Sequence, residues 1–354
     1  MDDKKKILLI QTAFLGDVVM TTPLIRALHA TFPDDEIDIV TIPQSANLFE
    51  HDPAIHKVHV FNKRKLINKI FSFIRLARIL KKSGYDIGVS IQSSLTSSFL
   101  MLLASIPKRV GFARQKFLTT PVSHKKGMHM RDRYLALARP FSSESFSRET
   151  GLHISDKERK KASDILESHT RSNGKRVGIA PGSVWPTKRW PEPYFIELVR
   201  LLNEKGYQLY FIGGGTEREL CQSIIEKGNA RALNLAGELS ILESAALIEE
   251  LDLVLTNDSA PLHIANAMKT DVVAIFGPTV RRFGCYPYRD NDIMIEIDLD
   301  CRPCAKHGGR ACPEKHFRCM MDIKPELVYE VIANHFSKGS ESNGTDQKSV
   351  KRGE

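Results

Sequence analysis

Residues 7–28 read ILLIQTAFLGDVVMTTPLIRAL. The opening Ile7-Leu-Leu-Ile10 is a short, wholly apolar run. That is how a strand buried on both faces of a parallel sheet reads. A polar linker follows, and then Gly16 and Asp17. From Asp17 to about Ala30 the apolar residues Val18, Val19, Leu24, Ile25 and Leu28 fall on one broad face. This predicts a helix with Pro23 near its start, where proline is tolerated. Strand, glycine-bearing turn and helix together are the opening of a βαβ unit.

The same alternation continues outward. Strands are expected at Ile37–Ile42, Val58–Phe61, Asp86–Ile91 and Val110–Phe112. Helices are expected at Leu66–Leu80 and from the end of the fourth strand to about Ala104, and residues 113–130 read as a basic loop. The pattern restarts after a polar helix at Ser155–Ser168. Strands at Arg176–Ala180, Gln208–Ile212, Leu251–Thr256 and Val272–Phe276 alternate with helices at Pro191–Asn203, Glu217–Glu226, Ile241–Glu250 and Pro261–Met268.

The fold class is therefore α/β, with two doubly wound parallel-sheet domains expected at 1–154 and 155–322. Such sheets bind ligands at the carboxyl ends of their strands, so an interdomain cleft is the expected site. A C-terminal helix at 323–337 is expected to pack back on the N-terminal domain. The polar tail at 338–354 is expected to be disordered.

The 354 residues suit two domains. No stretch approaches the ~20 apolar residues of a membrane span, and the start lacks the features of a secretory signal. A cytoplasmic location is expected. Residues 1–150 hold 23 Lys and Arg against 13 Asp and Glu, whereas the remainder holds 28 against 29. All the excess positive charge thus sits in the first half, which favours an anionic partner or is simply a basic surface.

Four places carry chemistry. Asp17, at the turn after the first strand, is either a helix cap or a general base for an attacking hydroxyl. Ala180-Pro-Gly-Ser183 followed by Lys188-Arg-Trp-Pro191 offers amide N–H groups, a hydroxyl and a cation for a phosphate; otherwise Lys188 is a surface lysine beside a structural tryptophan. Thr256-Asn-Asp258-Ser-Ala-Pro-Leu-His263 is a strand-to-helix junction that can bind phosphate at Ser259, or a capped helix with a satisfied His263. Cys301, Cys304, Cys312 and Cys319 form C-x2-C-x7-C-x6-C, half of which has zinc spacing. A zinc there would be a structural clip, and reduced thiols are the alternative. The single glycine of Gln11–Gly16 lacks the three that a dinucleotide fingerprint needs, which argues against an oxidoreductase.

Together, Gly16-Asp17-Val18, Pro181-Gly-Ser183 with Lys188-Arg-Trp-Pro191, and Asn257-Asp-Ser-Ala-Pro-Leu-His263 resemble the family-9 bacterial heptosyltransferases over about residues 5–336. The cysteine-rich stretch ending Cys319-Met320 is similar to that of many chains called heptosyltransferase II. The resemblance implies a GT-B fold of two facing Rossmann-like domains. It implies inverting transfer from ADP-L-glycero-D-manno-heptose to an inner-core heptose carried on phosphorylated Kdo-lipid A, at the inner face of the cytoplasmic membrane. No cofactor is then required for catalysis.

By the resemblance, the base falls on Asp17 and the diphosphate contacts on Ser183, Lys188, Ser259 and Ala260. The nucleoside contacts fall on Glu217, Leu239 and Asp258, and His263 matches a cleft histidine. Position 260 is alanine where the family usually has glycine. Lys63, Arg64, Arg109, Arg114 and Lys116 are the candidates for the acidic acceptor. Two other readings are a nucleotide-sugar epimerase of the same fold and a basic nucleic-acid-binding protein. The second lacks any aromatic–basic interleaving or known module, so no nucleic-acid partner is expected.

Overall fold

The structure is a computed structural model that describes residues 4–62, 66–169 and 174–338. The chain divides into two compact units, Met1–His153 and Ile154–Glu354.

The first unit holds strands β1 (Lys6–Ile10), β2 (Glu36–Thr41), β3 (Lys57–Val60), β4 (Ile87–Ser90), β5 (Lys108–Phe112) and β6 (Thr120–Val122). Its helices are α1 (Leu15–Val19), α2 (Thr22–Thr31), α3 (Leu66–Ser83), α4 (Leu95–Leu103) and α5 (Met130–Leu135). The second unit holds β7 (Arg176–Ala180), β8 (Gln208–Phe211), β9 (Ala232–Asn234), β10 (Leu253–Asn257), β11 (Asp271–Phe276) and β12 (Ile293–Glu296). Its helices are α6 (Asp156–His169), α7 (Glu192–Glu204), α8 (Arg218–Lys227), α9 (Ile241–Glu249), α10 (Ala260–Ala267), α11 (Arg318–Met321) and α12 (Pro325–Lys338).

Each unit has one six-stranded sheet, in the orders β3-β2-β1-β4-β5-β6 and β12-β11-β10-β7-β8-β9. Every pairing is parallel. Both sheets thus start in the middle, wind outward in one direction, and return to wind in the other. The order reverses between β1 and β4 in the first sheet and between β7 and β10 in the second. Ligand sites of open α/β sheets lie at the carboxyl end of such a reversal.

The central strands are buried on both faces, which accounts for the apolar runs Ile7–Ile10 and Leu253–Leu255. In the first unit Leu8, Ile10 and Val40 pack against Leu76 and Leu80 of α3 and Leu100 and Met101 of α4. In the second, Val177, Ile179, Leu253 and Leu255 pack with Phe195, Leu198 and Leu202 of α7. The C-terminal helix, expected against the first domain, places Val328, Val331 and Ile332 in this second core. It reaches Lys338; the polar tail beyond that residue lies outside the described residues.

Two local expectations are corrected. The helix expected from Asp17 to Ala30 is broken into α1 and α2, with Pro23 in the first turn of the second. Proline lacks the N–H that would have continued the ladder, and Leu24 and Ile25 bond to Thr21 instead. The segment read as a basic loop at 113–130 contains β6, which extends the sheet beyond β5.

A buried polar network ties β2 to the segments beside it. Asp38, His59 and Tyr85 are each less than a tenth exposed. Tyr85 donates to Asp38 Oδ2, His59 Nε2 lies 2.8 Å from Tyr85 Oη, and His56 Nδ1 lies 2.9 Å from Asp38 Oδ1. Burial alone would raise the pKa of Asp38, but the hydrogen bonds from His59, Tyr85 and His56 outweigh it and hold the carboxyl below 3.8. A carboxylate depressed in the folded state contributes stability above its ordinary pKa and loses it as pH falls through the folded value. Asp38→Asn should therefore cost about 1–3 kcal/mol at neutral pH, since it unpairs a buried network. The variant's stability should also fall less steeply than wild type below about pH 4. Urea unfolding across that range checks both; equal curves for the two proteins would remove the network from the fold's energetics.

Candidate active site

At the reversal of the first sheet, Gln11 leaves β1 fully buried. Its amide donates to Thr21 Oγ1 at 3.0 Å, and Thr21 donates to the Asp17 carbonyl at 2.9 Å. Thr12 donates to Gln92 Oε1 at 2.8 Å, joining the loop after β1 to the loop after β4. These bonds fix the turn that carries Asp17. The N-cap of α1 is Phe14, not Asp17. Asp17 stands in the first turn, half-buried, and its Oδ1 accepts a hydrogen bond from Tyr134 Oη at 2.9 Å.

Tyr134 lies on α5, which packs against α2, and is almost fully buried. Beside it, Arg133 lies 4.6 Å over the Phe112 ring and donates to Ser93 Oγ at 3.2 Å. Burial, then the charge of Arg133, pushes the pKa of His124 down. The carboxyl ends of β4 and β5 are thus lined by positive charge from α5 and its neighbours.

The basic candidates fare unequally. Lys63 and Arg64 lie outside the described residues. Arg114 and Lys116 are exposed in the loop after β5. Arg109 is committed to structure: its Nε donates to the Phe117 carbonyl at 2.7 Å and its Nη1 to the Ile106 carbonyl at 2.6 Å.

At the reversal of the second sheet, Asn257 ends β10 and is fully buried. Its Nδ2 donates to the Pro181 carbonyl at 2.8 Å, and its Oδ1 accepts from Trp190 N–H at 3.1 Å. One amide therefore staples the whole loop after β7 to the end of β10. That loop holds Ser183, itself buried, whose carbonyl accepts from Arg189 Nε at 2.8 Å.

The staple brings Lys188 to Asp258. Lys188 Nζ stands 2.5 Å from Asp258 Oδ2, with side chains 12% and 7% exposed. Thr279 Oγ1 donates to the same carboxylate oxygen at 2.6 Å. The pair is thus largely withdrawn from water and hydrogen-bonded, not a surface ion pair. Ser259 is the N-cap of α10, yet no side chain bonds back to its first turn. The Ser259 hydroxyl faces Thr256 Oγ1 at 3.2 Å. Ala260, half-buried, is the first residue of that helix, and its methyl group leaves the amide in place.

Glu217 does structural work: Oε2 accepts from Gly214 N–H at 2.6 Å and closes the turn after β8. A Cβ on Gly182 would run into the Glu217 carboxylate, so that glycine lets the β7 and β8 loops approach. Leu239 is half-buried just ahead of α9, and His263 is buried on α10.

The cysteine-rich stretch buttresses this site. Gly309 and Thr187 bond to each other through the Gly309 N–H, at 2.7 Å to Thr187 Oγ1, and the Thr187 N–H, at 3.2 Å to the Gly309 carbonyl. Arg302, nearly buried, donates to the carbonyls of Gly277, Ile297 and Thr279 and to Glu296. Among the described residues no three His, Cys, Asp or Glu side chains converge as a metal site. Cys301 Sγ approaches His316 Nε2 only to 3.9 Å. Cys319 is buried, and burial pushes its thiol up to about 11; burial and the Cys301 thiol raise Cys304. None of the four is in a disulfide.

Sequence reasoning missed Tyr134, Thr279 and the role of Asn257. Tyr134 stands 117 residues from its partner and has no motif around it. Asn257 carried a signal, a polar amide at the end of an otherwise apolar central strand.

The sequence profile of glycosyltransferase family 9 (heptosyltransferase) matches residues 73–316. The lipooligosaccharide heptosyltransferase 2 of Campylobacter jejuni serotype O:6 is 30% identical over 332 residues, covering 92% of this chain and 98% of that protein. Among solved structures, the family 9 glycosyl transferase of Veillonella parvula superposes with a TM-score of 0.84 at 24% identity, over 96% of this chain and 99% of that one. The E. coli ADP-heptose LPS heptosyltransferase II superposes with a TM-score of 0.75 at 24% identity, over 95% and 99%.

The Lys188–Asp258 pair yields a direct test. Removing one partner of a buried pair leaves the other uncompensated, at a cost of roughly 3–5 kcal/mol. Asp258→Asn should melt well below wild type. Inorganic pyrophosphate should raise the variant's melting temperature more than it raises wild type's, because the added anion restores the missing charge. Equal responses in the two proteins would show that the ammonium does not face the anion.

Proposed function

This chain belongs to glycosyltransferase family 9, and on that premise we propose that it transfers heptose from ADP-L-glycero-D-manno-heptose to the inner-core heptose of lipopolysaccharide, with inversion at the anomeric carbon. The reading is supported by full-length similarity to a protein named lipooligosaccharide heptosyltransferase 2. The observation that carries it is the pairing of chemistries at the two reversals. A carboxylate held by a buried tyrosine stands at one, and a largely buried ammonium beside an uncapped helix start stands at the other.

In the proposed reaction the acceptor hydroxyl attacks C1 of the heptose as the bond from C1 to the diphosphate oxygen breaks. Asp17 takes the hydroxyl proton. A carboxylate is a weak base, which suffices when the sugar has already gained oxocarbenium character and the proton leaves late. The Tyr134 hydroxyl fixes one carboxylate oxygen.

On the donor side Lys188 meets the charge that builds on the departing ADP. Its ammonium has three donors, so it can hold Asp258 and a phosphate oxygen together. Asp258 then positions Lys188 and does not itself contact the diphosphate. The N–H groups of Ser259 and Ala260, at the positive end of α10, receive the other phosphate oxygens, and Ser183 adds a hydroxyl. Glu217 and Leu239 border the nucleoside, with Glu217 acting through the Gly213–Gly215 turn that it closes. No metal ion enters this scheme.

The acceptor is proposed to be phosphorylated and lipid-linked, met at the cytoplasmic face of the inner membrane, with Arg114 and Lys116 toward its anionic groups.

Asp17→Asn should reduce transfer by at least about a hundredfold, the lower end of what general-base catalysis supplies. ADP binding measured by calorimetry should be unchanged, because the carboxylate belongs to the acceptor half. Lys188→Ala should lower kcat by roughly 10²–10³ and weaken ADP binding as well. An Asp17→Asn enzyme with wild-type turnover on a heptose-bearing lipid A acceptor would dismiss the assignment. A donor screen in which UDP- or GDP-sugars outpace ADP-heptose would dismiss the proposed substrate.

Tyr134→Phe isolates the positioning role. It should lower kcat about tenfold, corresponding to one hydrogen bond to a charged group, and leave the affinity for ADP intact. An unaltered kcat would leave Tyr134 a packing residue.

A further inference from the structure

We propose that the outer face of α3 and α4, together with the loop carrying Phe117, is the surface by which this enzyme docks on an anionic lipid membrane. The inference rests on the lipid-linked acceptor proposed above and assigns the contact to named residues.

The face is apolar where an ordinary helix surface would be polar. Phe71 is 72% exposed and Leu95 is 56% exposed; Ile74, Phe99, Leu103 and Phe117 are also exposed. On α4, Leu95, Phe99 and Leu103 are spaced four apart and form one stripe. The Phe73 and Phe99 rings stack at 6.2 Å, and Phe99 meets Phe117 at 5.7 Å. The patch is therefore continuous across two helices and a loop. It is not surplus core, because the opposite sides of the same helices already pack on the sheet through Leu76, Leu80, Leu100 and Met101.

Phe117 adds a second observation. Its φ of 65° places a bulky aromatic residue in the left-handed region, which persists only where the surroundings enforce it. Arg109 enforces it by donating to the Phe117 carbonyl. The ring so held is exposed, so the strained backbone serves to present an aromatic side chain to the outside.

Charge selects the occupant. Between Asp52 and Asp132 the sequence holds 16 Lys and Arg and a single acid, Asp86. Arg75, Arg78, Lys81 and Lys82 on α3 and Arg114 and Lys116 in the loop are exposed around the apolar patch. Apolar and aromatic groups ringed by cations are the composition of a surface that lies in the headgroup region of anionic lipid. A second copy of the chain would bring like charges face to face. Among the described residues no helix is long and apolar enough to cross a membrane, so contact of this kind is at the surface. Phe71 and Leu95 lie early in α3 and α4, which follow the carboxyl ends of β3 and β4, the end of the sheet that also carries Asp17, whereas Phe117 lies beside Arg109 at the start of β5. A membrane on this face presents its lipid-linked sugar toward the end of the sheet where the base stands.

The test is flotation of the full chain with vesicles of phosphatidylethanolamine and phosphatidylglycerol in a three-to-one ratio, against vesicles of phosphatidylcholine alone. Wild type should float with the anionic vesicles only. Phe71→Ser combined with Leu95→Ser, and separately Arg75→Glu combined with Arg78→Glu, should each lower partitioning at least tenfold, with unchanged melting temperatures because these side chains are exposed. Both double variants should keep wild-type rates on a soluble, delipidated acceptor oligosaccharide and lose about tenfold on the same acceptor anchored in vesicles. The proposal is overturned if wild type ignores anionic vesicles, if the variants float like wild type, or if Phe71→Ser instead dissociates a dimer. Flotation as expected without heptose transfer to either acceptor would keep the docking surface and reject the proposed reaction.

Discussion

In each sheet the strand order reverses beside the first strand, and the helices that follow the two central strands leave in opposite directions. No crossover can then cover the ends of those strands, and a crevice is unavoidable. Whatever stands there must satisfy backbone and side-chain polar groups without a helix to do it. The chain meets this with single amides. Gln11 bonds to Thr21 behind the Asp17 turn, and Asn257 joins the Pro181 carbonyl to the Trp190 amide. Each leaves a loop fixed enough to aim a charged side chain. Losing one such amide would strand two buried backbone groups or loosen the loop that depends on it.

The alternation of strand and helix was legible because a parallel sheet demands it. Central strands are covered on both faces, and their runs Ile7–Ile10 and Leu253–Leu255 are apolar throughout. The elements that escaped are those with less to bury. β6 and β9 are three residues each at the sheet edges, and no residue of β9 is fully buried. β12 is four residues long at the far edge of its sheet. The break between α1 and α2 was present in Pro23, but periodicity alone carries across a proline that sits in a first turn.

The placement of the candidate residues was legible wherever strand, turn and helix are contiguous, as at Asp17, Lys188 and Asp258. It was not legible where a contact joins residues far apart in the chain. Tyr134 reaches Asp17 only because α5 packs on α2. Net charge located the basic half but could not say which cations are already committed; Arg109 turned out to hold a loop in place. The spacing of the cysteines suggested a metal clip; the stretch that carries them is held in addition by bonds between Thr187 and Gly309 and by the buried guanidinium of Arg302.

Those bonds bear on the central cation. An ammonium as withdrawn from water as Lys188 needs a counterion at every stage. Asp258 supplies it, and Thr279 directs that carboxylate. Arg302 in turn holds the Thr279 carbonyl and the end of β11, and Gly309 holds Thr187 beside Lys188. The cysteine-rich stretch therefore grips both partners of the ion pair from outside. A lysine held this way is aimed before any anion arrives, so in the proposed reaction little reorganisation is left for the moment when charge develops on a leaving group. The same carboxylate also limits how tightly an anion can be held, because it competes for the ammonium. In the proposed reaction, a cation shared in this way favours the charge that builds on the leaving group without retaining the product that carries it away.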